Sequence, residues 1–271
     1  MNWASLGQAA RDAAYNNAAA VANAPALIRA RNEGSAAFRA AHAGHLDLAY
    51  GDASRLAFDI YPGTDQNAPC LIFIHGGYWQ MNRREDFAVF AQGLTAQGWA
   101  VAMPGYSLAP AVSLTQIVHE IKSALDWFAV HRHAHGVSGK IVISGWSAGA
   151  QLAALMLDHP LVHAGLVISG VYELAPVADT YLNEKLKLTQ QEVETLSPLR
   201  LPVDPKPLCV AYGTAELPAL VDDSRNFFAL RAKAGAPGSL LAVEGADHFT
   251  ILHEMSAADG ALVKAAMVLA Q

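Results

Sequence analysis

Between residues 141 and 157 the chain reads IVISGWSAGAQLAALML: an apolar run stops at Gly145-Trp146-Ser147-Ala148-Gly149, and an Ala/Leu-rich helical pattern starts at once. The pattern predicts a strand, a sharp turn with a serine at its apex, and a helix. Glycines two residues before and two after Ser147 let strand and helix approach more closely than side chains would allow, and the apex residue is held in a strained conformation. Ser147 is thereby pushed out above the end of a sheet. An anion forming at its hydroxyl would meet the N–H of Ala148 and the positive end of the helix dipole. An ordinary tight turn can carry the same glycine-serine pattern, so the rest of the chain must supply partners for it.

The flanking pattern supplies a sheet. Residues 46–50 and 55–62 alternate apolar with polar around a Gly-Asp-Ala-Ser turn, which predicts an antiparallel hairpin at one edge. Apolar runs at 69–75, 99–106, 140–146, 163–171, 207–213 and 239–245 then alternate with helical patterns near 85–97, 114–130, 148 onward and 222–235, and a closing helix runs to about 270. Strands that are apolar throughout predict a mostly parallel eight-stranded sheet covered by helices on both faces, an α/β protein. Residues 1–43 read as an Ala-rich helical arm across the body, to which no chemistry is assigned. Residues 172–201 are polar, helix-prone and longer than a connection needs, which predicts a small lid. No repeat or linker divides the 271 residues, so one domain is expected.

Composition narrows the function. With 53% hydrophobic and 15% charged residues the chain can bury a large core, and a net charge of −6 with scattered Lys and Arg argues against nucleic acid as a partner. Each apolar stretch falls short of the roughly 18 to 20 residues a membrane span requires. Polar residues at Gln8, Arg11, Asp12, Asn16 and Asn17 interrupt any export signal, so a cytoplasmic location is expected. Cys70 and Cys209 each fall inside a predicted strand as small buried hydrophobes. No cofactor or metal is expected: His131, His133 and His135 lie in a polar loop at the opposite edge of the sheet from Ser147 and read as a solvated surface.

Serine is a poor nucleophile until a base takes its proton, and the base must be held by an acid. Candidates have to sit just past strand ends, where ligands gather in such sheets. His248 follows the last predicted strand, whereas His119 is mid-helix and His163 opens a strand. Glu216, three residues past Gly213, is the leading acid. Asp222 and Asp223 are its rivals, although capping of the next helix explains them, and Asp247 is adjacent to His248, which points its side chain elsewhere.

His75-Gly76-Gly77-Tyr78-Trp79, the Gly145-x-Ser147-x-Gly149 turn and Asp247-His248-Phe249 resemble an α/β-hydrolase of the esterase/lipase type with an HGG oxyanion motif. HGGYWQ, the SLAP at 107–110 and the SP at 197–198 are similar to the arylformamidases, also called kynurenine formamidases. The resemblance runs from about residue 46 to the end. It implies a cofactor-independent acyl transfer by Ser147, His248 and Glu216, with Gly76, Gly77 and Ala148 binding the oxyanion through backbone N–H groups. It further implies a small-molecule substrate such as N-formylkynurenine, with Tyr78 and Trp79 stacking on the aryl part and Phe249 beside it. A carboxylesterase is the alternative, and a non-catalytic binding protein on the same scaffold a remoter one. Trp146 departs from the arylformamidase pattern, being either a core filler or a wall of the acyl pocket. Relatives include homodimers, but no residue here establishes one.

Overall fold

The computed structural model describes residues 3–271. Eight strands form one sheet: β1 (His45–Ala49), β2 (Ala57–Tyr61), β3 (Cys70–Ile74), β4 (Ala100–Pro104), β5 (Ile141–Trp146), β6 (Ala164–Ile168), β7 (Leu208–Gly213) and β8 (Gly238–Val243). Their order is β1-β2-β4-β3-β5-β6-β7-β8. The pairings of β1 with β2 and of β2 with β4 are antiparallel, and all others are parallel.

Every residue of β2 to β7 is buried, because helices cover both faces. Alternation along each strand divides the core in two. Ile72, Ile74, Ile141, Ile143 and Val210 face a cluster that includes Ile117, Ile121 and Phe128 of the helix Leu114–His131 and Leu152 of the helix Ala148–Leu155. Leu71, Phe73, Val142, Trp146 and Ile168 face the other, with Phe38 of the helix Ala24–Ala41 and Leu262 and Val263 of the helix Ala261–Leu269. Among the described residues no helix is long and apolar enough to cross a membrane.

A buried charge cluster locks the first edge. Asp59 on β2 is fully buried and accepts from Arg39 Nε at 2.9 Å, Arg84 Nε at 3.2 Å and the Asp47 N–H at 3.0 Å. Arg84 also pairs with Asp47. The carboxylate pushes the Arg39 guanidinium up, overcoming the burial that opposes it.

Three elements differ from the sequence reading. The helix expected near 222–235 starts at Pro218, a residue suited to a first helical turn because its missing N–H would be unpaired there. Asp222 and Asp223 therefore lie inside the helix and do not cap it. Asp223 instead accepts from the N–H groups of Tyr172 and Glu173 at 2.8 and 3.3 Å, tying down the start of the segment expected as a lid. That segment holds three short α-helices, Ala175–Ala178, Asn183–Leu186 and Gln190–Leu196, and a 3-10 turn, Pro198–Arg200. The N-terminal arm does more than cross the body. Trp3 Nε1 donates to Asp179 Oδ2 at 3.0 Å and Asp12 Oδ1 accepts from the Tyr181 N–H at 2.8 Å, so arm and lid segment are joined.

Candidate active site

The chain runs from β3 outward to β4 and then returns past β3 to β5, so the sheet order reverses between β3 and β5. Ligands of open α/β sheets bind beyond the carboxyl ends of the strands at such a reversal. The loop after β3 carries Gly76 and Gly77, and the turn after β5 carries Ser147.

Ser147 has φ 58° and ψ −121°, a strained pair for a residue with a Cβ, and its N–H donates to Ile168 O at 2.8 Å. The flanking glycines make the turn sterically feasible. A Cβ on Gly145 would stand 2.1 Å from Gly149 O, and one on Gly149 would stand 2.0 Å from Ile74 O. The helix Ala148–Leu155 starts immediately, so the Ala148 N–H lies at its free N-terminus.

The loop after β3 folds against this turn. A Cβ on Gly76 would lie 2.6 Å from Trp146 O and 3.0 Å from Ser147 Cβ, and Gly77 has φ 123°. Among the described residues neither Gly76 N–H nor Gly77 N–H has a protein acceptor. Asn82 Nδ2 donates to Gly76 O at 3.1 Å and holds the loop from outside. His75 stacks on Tyr106 with centroids 4.2 Å apart, and burial lowers its pKa to about 3. It is a neutral spacer; its Nδ1 lies 2.9 Å from Gly76 O.

His248 and Glu216 meet at the same edge, with Nδ1 of the imidazole 2.8 Å from Oε2 of a side chain that is fully buried. An ionised carboxylate is an acceptor, so Nδ1 carries the proton and Nε2 is left with a lone pair. Oε1 of Glu216 accepts from the Gly213 N–H at 2.7 Å and from Ser169 Oγ at 2.5 Å. The competing acids are engaged elsewhere: Asp223 on the lid segment as described, and Asp247 with the N–H groups of Phe249 and Thr250 at 2.8 and 2.9 Å. Asp222 sits within the helix Pro218–Lys233. Trp146 joins the two halves of the site. Its Nε1 donates to His248 O at 2.9 Å, and its ring lies 4.7 Å from the imidazole.

Tyr78 and Trp79 require a correction. Trp79 is fully buried, with Nε1 donating to Gln151 Oε1 at 3.1 Å. The Tyr78 hydroxyl donates to Tyr15 O at 2.7 Å and accepts from Asn17 Nδ2 at 2.9 Å. Gly77, Tyr78 and Trp79 all have positive φ, so the loop coils back and turns both rings into the protein, where their polar atoms find protein partners. Neither offers a stacking face to a substrate. Trp146 fills the core, being 3% exposed, and its ring also lines, with Phe249, a cavity of about 170 Å³. His131 and His135 pack around Trp127, at centroid distances of 4.4 and 6.0 Å. Cys70 and Cys209 are buried free thiols, both pushed up by burial.

Sequence reasoning missed Ser169, Gln151 and Asn82. Ser169 lies just past β6, between the strands that carry Ser147 and Glu216, and has φ 52°. Its position after an apolar strand was the available signal. Gln151 bonds to residues 72 and 45 positions away, and Asn82 bonds to Gly76 six positions back and to Arg31 51 back, in no recognisable local pattern.

The BD-FAE family model matches residues 58–159. The kynurenine formamidase of Danio rerio is 29% identical over 226 residues, covering 78% of this chain and 76% of that protein. That of Salmo salar is 29% identical, with 84% and 82% covered. Among solved structures, a protein from Silicibacter sp. with a provisional thioesterase assignment has a TM-score of 0.83 at 28% identity, covering 94% of this chain and 97% of its own. Esterase LipW from Mycobacterium marinum shares the fold, with a TM-score of 0.76 at 20% identity and 92% and 90% covered. With this strand order, this glycine-flanked turn and these relatives, the chain is an α/β-hydrolase of the esterase type that lies near the arylformamidases, a hydrolase of the formamidase or esterase kind.

Proposed function

We propose that the chain is a serine hydrolase that removes the formyl group from an N-formyl aryl amine, N-formylkynurenine being the model substrate. In the reaction His248 Nε2 takes the Ser147 proton as Ser147 Oγ attacks the formyl carbon. The oxyanion rests on the N–H groups of Gly76, Gly77 and Ala148. His248 then returns the proton to the aryl nitrogen, the C–N bond breaks and the amine leaves. Water, deprotonated by His248, releases formate from Ser147. Glu216 holds the imidazole tautomer and offsets the imidazolium charge.

The observation that carries this reading is the Glu216–His248 pair, to which Trp146, the residue before Ser147, is tied by its Nε1 donating to His248 O. Similarity to kynurenine formamidases supports the formyl amide as substrate. A carboxylesterase is the second reading, supported by the esterase fold neighbours, since one triad serves esters and amides alike. Formate release from N-formylkynurenine, measured beside p-nitrophenyl acetate hydrolysis, separates the two. Ester cleavage without formate release leaves the serine mechanism and removes the formamide. Full turnover by Ser147→Ala, or failure of a fluorophosphonate to label Ser147, would remove the mechanism itself.

A further inference from the structure

Gly76 N–H shares a peptide plane with His75 O, and Gly77 N–H shares one with Gly76 O. Each of these carbonyls is held by a side chain. Tyr106 Oη donates to His75 O at 2.8 Å, and Asn82 Nδ2 donates to Gly76 O at 3.1 Å. A donor on the oxygen of a planar amide fixes where the N–H at its other end points, and it polarises that N–H, because hydrogen bonds in a chain strengthen one another. Tyr106 and Asn82 therefore aim the two N–H groups from behind. Arg31 Nη2 donates to Asn82 Oδ1 at 3.3 Å, which leaves the amide nitrogen facing Gly76.

One guanidinium holds both of these residues. Arg55, in the turn before β2, donates from Nε to Tyr106 O at 2.7 Å and from Nη2 to Asn82 O at 2.5 Å. Tyr106 and Asn82 lie outside helices and strands, so no regular ladder fixes their backbones. The planar fork of an arginine holds two carbonyls at a set separation, which the single ammonium of a lysine does not. The outer side of Arg55 is open, since with Ser54, Arg83, Arg84, Glu85 and Gly105 it lines a cleft of about 330 Å³.

We propose that Arg55 is a positioning residue of the oxyanion hole: through Tyr106 and Asn82 it sets the aim of the Gly76 and Gly77 N–H groups, and so the stabilisation of the transition-state anion, without touching substrate. The proposal rests on the serine-hydrolase reading. Arg55 acts on the donors and not on the imidazole, so losing its fork lowers kcat and leaves KM and the pH profile in place.

Hydrolysis of p-nitrophenyl acetate by the full chain reads the effect. Arg55→Ala is expected to lower kcat about 10- to 100-fold with KM within about twofold, since the donors are loosened and not removed. Phenylboronic acid adds Ser147 Oγ to boron as the serine proton passes to His248, and its anionic oxygen then rests on the same N–H groups. Its affinity should fall in parallel with kcat. Methylguanidinium can enter the cleft that Arg55→Ala enlarges and should raise the kcat of that variant at least about fivefold, whereas sodium chloride at equal ionic strength should not. Arg55→Lys should keep part of the activity. Tyr106→Phe retains the ring on His75 and removes the hydroxyl, so it should lose about tenfold in kcat, and the double variant should lose less than the product of the two. Arg83→Ala, in the same cleft, should keep full activity. Wild-type kcat in both Arg55→Ala and Tyr106→Phe, a loss carried by KM, a shifted pH profile, no rescue by methylguanidinium, or losses that simply multiply would overturn the proposal. Turnover that requires Ser147 and ignores Arg55 removes the proposal alone. A wild type that neither cleaves the ester nor binds the boronic acid removes the hydrolase reading and the proposal with it.

Discussion

Trp146 Nε1 donates to the backbone carbonyl of His248 across 2.9 Å, and the indole ring lies 4.7 Å from the imidazole. The residue before the turn serine thus fixes the loop that carries the histidine. Trp146→Phe keeps a ring in the core and removes the donor. It leaves a buried carbonyl unpaired, which costs about 1–3 kcal/mol of stability. Urea denaturation should read that loss, and kcat should fall about tenfold with little change in KM as the imidazole loses its fixed position.

Ser169 Oγ donates to Glu216 Oε1 from a backbone with φ 52°. Ser169→Ala removes the hydroxyl and keeps the strained backbone, whereas Ser169→Gly removes both. If the hydrogen bond matters, both variants lose about an order of magnitude in kcat/KM while the glycine variant recovers stability. Activity restored in Ser169→Gly would assign the role to backbone shape.

Asp223 is buried, and burial raises its carboxyl from 3.8 to about 7 against the pull of the N–H groups of Tyr172 and Glu173. A group raised in the folded state contributes stability fully below its unfolded value, and that contribution is lost as pH rises through about 7. Between pH 5 and 8 the wild type should therefore lose on the order of 2–3 kcal/mol relative to Asp223→Asn. Melting curves of the two proteins at both pH values read the difference. Parallel pH dependence would refute it.

Asp59→Ala leaves the guanidinium of Arg84, whose side chain is 5% exposed, without its buried acid, and strips Arg39 of its close partner. Removing one member of such a cluster costs about 3–5 kcal/mol. Chemical denaturation should show this as a lower midpoint with an unchanged slope, and an unaltered midpoint would count against the cluster as a lock between arm and sheet.

Eight apolar or alternating runs were enough to place every strand to within a few residues, because strands buried on both faces cannot hide polar residues in their middles. Ser147, His248 and Glu216 could be named as candidates for a related reason. A glycine-flanked turn and the residues just past strand ends are local features, and the strand alternation says which edge they share. Tyr78 and Trp79 misled because an aromatic pair beside a glycine loop looks the same in sequence whether its rings turn outward or inward. Three successive positive φ values turn them inward, and a one-dimensional pattern carries no sign of that.

From the sequence alone came the order of elements, the sheet and the candidates for acyl-transfer chemistry, since hydrophobic periodicity and turn chemistry act over a few neighbouring positions. The tertiary structure decided which carboxylate faces the imidazole, that Ser169 lies beneath that carboxylate, and that Arg31 lines a cavity behind Trp146. Those relations join residues 47, 32 and over a hundred positions apart. Contacts across such separations depend on how whole strands and helices pack, and no stretch of chain encodes them by itself.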